Sequence, residues 1–138
     1  FSTYKAKFEA LLSAHYVAGV YLRDRTVTLK QFEPACYDDP VLRAFAAEKV
    51  EVRHDPSLKN GQAIVEIDTT GGETLTARCV HPLGSPENAM TLAQVEDKFR
   101  TYGSTCLPDK RVDAVIAAVA DLENLASARE LVSLLRAP

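Results

Sequence analysis

Three polar side chains close together near the amino terminus, Ser13, His15 and Tyr16, stand in an otherwise apolar stretch. A serine and a tyrosine three positions apart are neighbours on one face of a helix. The phenol can donate a proton and the imidazole titrates near neutrality, a combination suited to general acid and base work on a carboxylic acid. The same residues also have a purely architectural reading. A buried serine can bond the carbonyl of the preceding turn, a tyrosine can anchor a helix by its hydroxyl, and a histidine can be satisfied inside a core.

A second candidate is the loop over residues 81–88, His-Pro-Leu-Gly-Ser-Pro-Glu-Asn, where two prolines and a glycine exclude a regular element. His81, Ser85 and Asn88 beyond a strand end could cap a pocket, or the segment could be a connector shaped by Pro82 and Pro86. Lys98 and Arg78 fit solvated faces, with Lys98 able to pair with Glu96 or Asp97. Asp38 and Asp39 precede Pro40 in the pattern of a helix start rather than of a carboxylate dyad. No phosphate loop, GxGxxG, HExxH, GxSxG or EF-hand spacing occurs, so nucleotide, zinc-protease, hydrolase-elbow and calcium readings have no support.

The elements that would position these groups follow from periodicity. Residues 4–22 contain no proline, and Phe8, Leu11, Leu12, His15, Ala18 and Leu22 recur at helical spacing while Val17, Val20 and Tyr21 fill another side. The expectation is one largely buried helix, packed on both flanks. A turn at 29–34 leads to a short helix after Asp39-Pro40, carrying Val41, Leu42, Phe45 and Ala46. Val50 and Val52 alternate with Glu51 and Arg53, the period of a half-buried strand. Residues 63–69 and 74–80, separated by Gly71-Gly72, read as an antiparallel hairpin whose turn requires positive φ. Together with the strand at Val50 this predicts a sheet of three or more strands.

Thr91 and Gln94 form a capping-box pattern, with Met90 and Val95 placed as a hydrophobic staple. The helix they open carries Phe99 and Tyr102 and stops at Gly103. Pro108 starts another helix bearing Val112, Val115, Ile116 and Val119. Ser127 and Glu130 cap a last one bearing Leu131, Leu134 and Leu135. The predicted class is α+β: a small antiparallel sheet with flanking helices and a carboxy-terminal helical pair over 108–138, in a single domain over 1–138.

The bulk numbers agree with a globular domain. The chain has 138 residues, 46% hydrophobic and 25% charged, enough to bury a core without staples. A net charge of −3 and the absence of a basic stripe argue against nucleic-acid binding. Cys36, Cys79 and Cys106 are far apart and form no CxxC pair, so neither a disulfide framework nor a zinc site is indicated, and a reducing, cytoplasmic setting is expected. No apolar run approaches the ~20 residues that span a bilayer, so no membrane association is expected. A start at Phe1 rather than Met is expected of a processing product or of a cut within a longer chain.

Longer blocks add a resemblance. Residues 13–24, SAHYVAGVYLRD, resemble the stretch of serine, two residues, tyrosine and a small-residue helix found in the MmgE/PrpD family. Asp39-Pro40-Val41 through Glu48-Lys49-Val50-Glu51-Val52, then Gly72 before Thr74-Leu75-Thr76-Ala77, is similar to that family's helix-to-sheet passage. His81 through Thr91, followed by Val95-Glu96-Asp97-Lys98-Phe99, is similar to its Pro-Glu-Asn loop and Lys-Phe helix. Arg25 stands where glycine is common, and Ala89 where proline is common.

The resemblance implies a carboxy-terminal, lid-type α+β domain whose active site is shared with a preceding helical domain that has no counterpart in these residues. It implies dehydration, decarboxylation or epimerisation of a small polycarboxylate of the 2-methylcitrate or cis-aconitate type, with no metal and no organic cofactor. On that basis His15 and Tyr16 are the expected catalytic groups, Ser13 and His81 the expected substrate-binding ones. The partners implied are the polycarboxylate, the helical domain in the same chain or as a separate subunit, against which the pair over 108–138 would pack, and a second copy in a homodimer. The competing expectation is a non-catalytic lid homologue serving as a binding or regulatory subunit.

Overall fold

A computed structural model describes residues 3–136. They form two compact units, one ending at Pro56 and the other beginning at Ser57.

The first unit is helical. α1 (Lys7–Leu11) is followed by α2 (Ala14–Asp24), a 3₁₀ turn (Leu29–Phe32), the single-turn α3 (Pro34–Tyr37) and α4 (Pro40–Glu48). The unbroken helix expected over 4–22 is therefore two helices. The break falls at Ser13, whose backbone is extended (φ −90°, ψ 104°) and whose hydroxyl accepts the Tyr16 amide at 3.1 Å. A serine that satisfies an orphan amide at the start of α2 favours a new helix start over continuation of the old one. Burial on most sides is not found within this chain either, since Phe8, Leu11 and Leu12 of this segment are exposed.

α2 ends at Arg25, which closes the helix in the left-handed region (φ 57°) with its amide on the Tyr21 carbonyl. α4 starts as its residues dictate, with Asp39 accepting the amides of Val41 and Leu42 and Pro40 at the first helical position. The core joins these elements: Tyr4, Ala10, Tyr16, Val20, Phe32, Leu42 and Ala46 are all buried. Full burial of one such large apolar side chain contributes about 1.5–3 kcal/mol. Gly19 permits the close approach of α2 and α4. A Cβ there would lie 3.0 Å from Leu42 Cδ1 and 3.2 Å from Phe45 Cδ1.

The second unit holds the hairpin β1 (Ala63–Asp68) and β2 (Thr74–Cys79), paired antiparallel from Ala63 opposite Cys79 to Asp68 opposite Thr74. Gly72 takes φ 82° in the connecting loop, as the turn demands. The third strand expected at Val50 is absent: among the described residues the sheet has two strands. Residues 50–54 form no regular element, because alternation alone does not make a strand, which also needs a partner for its backbone groups. Here Val52 is exposed, Arg53 donates to Glu51 beside it at 2.7 and 2.8 Å, and Pro56 ends the unit.

α5 (Leu92–Gly103), α6 (Asp109–Ala120), a 3₁₀ turn (Leu122–Asn124) and α7 (Ala128–Leu134) complete the unit. The Thr91–Gln94 capping box forms as expected, with Gln94 N–H on the Thr91 hydroxyl at 3.3 Å and Thr91 N–H on the Gln94 side-chain oxygen Oε1 at 2.8 Å. Val112 and Val115 of α6 are buried. The cation that the acidic residues of α5 attract is Arg100, which reaches Glu96, Asp97 and Asp113 at 3.5, 3.6 and 3.3 Å. Helices flanking a small antiparallel sheet, with helices at the carboxy-terminal end, make the chain α+β. No helix of the described residues is long and apolar enough to cross a membrane.

Candidate functional site

Ser13, His15 and Tyr16 occupy the first turn of α2 or the position that caps it. Ser13 is fully buried and its hydroxyl is engaged by the Tyr16 amide, so its capping function is explicit. The Tyr16 ring, also fully buried, is gripped by two others. Tyr4 meets it edge-on with centroids 4.8 Å apart and planes at 61°, and Phe32 lies at 5.9 Å and 59°. Its hydroxyl donates a hydrogen bond to the backbone carbonyl of Gln31. Burial first, then the neighbouring Tyr4, pushes the phenol up to about 12. Tyr16 therefore stays protonated across the physiological range, and its hydroxyl serves as a hydrogen-bond donor.

His15 is half-buried, and its Nδ1 atom is shielded from solvent with no hydrogen-bond partner among the described residues. A buried ring nitrogen without a partner is an unusual arrangement, because such atoms normally find one. The Tyr4 hydroxyl is left in the same condition, and burial raises its phenol against the opposing effect of Arg43, whose guanidinium lies 5.2 Å from the ring centroid.

His81 belongs to the second unit and is exposed. Asn88 Nδ2 donates to its backbone carbonyl at 2.9 Å, and its Nδ1 lies 3.7 Å from a Glu87 carboxylate oxygen. These contacts, with the Gly84 amide on the Asn88 carbonyl at 2.8 Å, fold the loop over residues 81–88 back on itself. The structure thus joins Ser13 to Tyr16 through a hydrogen bond, places His15 between them in sequence, and puts His81 in a different unit. Among the described residues no three His, Cys, Asp or Glu side chains converge on a point that could hold a metal.

One polar cluster had not been singled out from the sequence. Gln31, almost fully buried, accepts the Thr28 amide and hydroxyl on its side-chain oxygen at 2.9 and 2.8 Å, and its amide nitrogen donates to Asp24 at 3.2 Å. Arg23 donates twice to Asp24, at 2.7 and 3.1 Å, and once to Asp39 at 2.8 Å. That pairing holds Asp24 below the usual carboxylate range. The available signal was Thr28-x-x-Gln31, the same capping-box spacing recognised at Thr91.

The model of the MmgE/PrpD C-terminal domain matches residues 3–124, and so runs across both units. The chain belongs to the MmgE/PrpD family. Among curated relatives it is similar to the cis-aconitate decarboxylase of Homo sapiens at 30% identity and to that of Mus musculus at 28%, in each case over 96% of this chain. It spans 28% of the length of each of these relatives. As an MmgE/PrpD chain it carries the serine-to-tyrosine stretch in buried form, with Ser13 capping α2 and Tyr16 anchoring it to the 3₁₀ turn.

Proposed function

We propose that this chain is the carboxy-terminal part of an MmgE/PrpD enzyme acting on a small polycarboxylate of the cis-aconitate type, by cofactor-independent decarboxylation, dehydration or epimerisation. The observation that carries the reading is the likeness to two cis-aconitate decarboxylases along 96% of the chain. Each of these reactions builds negative charge at a carbon beside a carboxylate and needs a proton delivered or removed there. The phenol of Tyr16 keeps its proton at neutral pH, and although burial makes it a weaker acid than a free phenol it can still protonate a carbanion, a far stronger base. The half-buried imidazole of His15, with its shielded Nδ1 atom, is the second group proposed for the proton, and Ser13 beside it a polar group for a carboxylate. The substrate would meet these groups at a helical domain of the same family, in a homodimeric, cytoplasmic enzyme.

A second reading, a non-catalytic lid homologue that binds or regulates a helical subunit, is favoured by the full burial of Tyr16 and the engagement of its hydroxyl by Gln31. The two separate in an assay of the full-length protein with cis-aconitate, 2-methylcitrate and iminodisuccinate. The enzyme reading expects turnover of one of them, reduced by Tyr16→Phe and by His15→Ala. Unchanged rates in both variants would remove these residues from the chemistry.

A further inference from the structure

We propose that Gln31 is a positioning residue for the Tyr16 hydroxyl. The inference rests on the reading of Tyr16 as a proton donor and adds the group that aims it. A phenol held in a packed ring can turn only its O–H, and the direction that proton takes is set by its acceptor. Here the acceptor is the Gln31 carbonyl, on the 3₁₀ turn Leu29–Phe32 rather than on α2 itself. Where that carbonyl sits depends on what holds the turn against α2.

The Gln31 side chain does so at both ends. Its oxygen takes the Thr28 amide and hydroxyl, which closes the turn locally. Its nitrogen reaches Asp24, the last residue of α2, eight positions beyond Tyr16 and therefore about 12 Å along the helix. Asp24 is fixed by two bonds from Arg23, and Arg23 by Asp39 at the start of α4. One residue thus bonds the phenol by its backbone and the far end of the same helix by its side chain. If filling space were all that was required, a methionine of similar size would fill it without placing polar atoms in a site that leaves Gln31 only 6% exposed.

The test uses the full-length protein with Gln31→Met, Asp24→Asn, Gln31→Glu and the pair Gln31→Glu with Asp24→Asn. The pair exchanges donor and acceptor across the same contact. Asp24→Asn leaves Gln31 itself in place should Gln31→Met fold poorly. The first readout is the alkaline titration of the Tyr16 ring, followed by NMR of carbon-labelled tyrosine and assigned with Tyr16→Phe. The second is kcat and KM on cis-aconitate.

Gln31→Met is expected to move the titration towards that of an ordinary phenol and to lower kcat by ten- to a hundredfold, the effect of a small misplacement, with KM within about twofold. The exchanged pair is expected to recover most of what Gln31→Glu loses. Asp24→Asn removes a charge that itself raises the Tyr16 phenol, so the titration decides through Gln31→Met and kcat through Asp24→Asn: an unmoved Tyr16 titration in the first, or an unaltered kcat in the second where the first lowers it, overturns the proposal. A moved titration with unaltered kcat in Gln31→Met upholds the positioning of the hydroxyl and overturns instead the part given to Tyr16 in the reaction.

Discussion

Replacing Tyr16 by phenylalanine removes one oxygen and leaves the ring against Tyr4 and Phe32. At neutral pH the loss falls on the Gln31 carbonyl, which no longer receives the phenolic proton in a buried setting. A deleted partner of that kind costs about 1–3 kcal/mol. The pH dependence separates this loss from mere loosening of the core. The folded phenol is raised from 10.0 to about 12, so the native state holds the proton more tightly than the unfolded one. That contribution is fully present below pH 10 and is lost as pH climbs towards 12. At about 1.4 kcal/mol per pH unit it amounts to about 3 kcal/mol at most.

Wild type is therefore expected to exceed Tyr16→Phe in stability by about 1–3 kcal/mol near pH 7, and to lose part or all of that margin at about pH 11. Tyr4 packs on Tyr16 and titrates with it, so the comparison is repeated in a Tyr4→Phe background, where the same loss of margin is expected. Urea unfolding of the 138-residue chain followed by far-UV circular dichroism, a probe that tyrosine ionisation leaves usable, reads the margin at both pH values. A margin that stays the same from neutral to alkaline pH would refute the reasoning, because it would mean that the Tyr16 hydroxyl titrates alike in the folded and unfolded chain.

Arg25→Gly is expected to raise stability by about 1 kcal/mol in the same unfolding assay, since Arg25 holds φ 57° at the end of α2 and glycine takes that conformation without a Cβ penalty. Gly19→Leu is expected to destabilise by about 1–3 kcal/mol in thermal melts, because even a Cβ there would press on Leu42 and Phe45 of α4. Thr91→Ala is expected to cost about 1 kcal/mol and to speed amide exchange in the first turn of α5, where the threonine hydroxyl now receives the Gln94 amide.

Local signals carried furthest from sequence to structure. Asp39-Pro40, Thr91-x-x-Gln94 and the glycine pair before β2 each act through atoms a few residues apart, and each element begins or turns where those residues place it. The stretch over 4–22 was harder to read, because its apolar stripe masked a cap. Ser13-x-x-Tyr16 has helical spacing, and it is equally the spacing at which a serine receives an amide three residues on. Residues 50–54 have strand periodicity, but periodicity describes only which way side chains point. Pairing is settled by a second chain segment, and none of the described residues supplies it. The Tyr16–Gln31 bond was invisible for a related reason: its acceptor is a backbone carbonyl fifteen residues away, and every residue has one.

The central claim, that this MmgE/PrpD chain serves proton transfer beside a carboxylate, is tested most directly by incubating the full-length protein with cis-aconitate in deuterated water and following the mixture by proton NMR. With 2-methylcitrate and iminodisuccinate treated in the same way, the account predicts that one of the three is consumed, that deuterium enters next to a carboxylate in the product or the recovered substrate, and that Tyr16→Phe slows this at least tenfold. Deuterium incorporation that proceeds at the wild-type rate in Tyr16→Phe, or cis-aconitate, 2-methylcitrate and iminodisuccinate all left untouched by the wild-type protein, would contradict it.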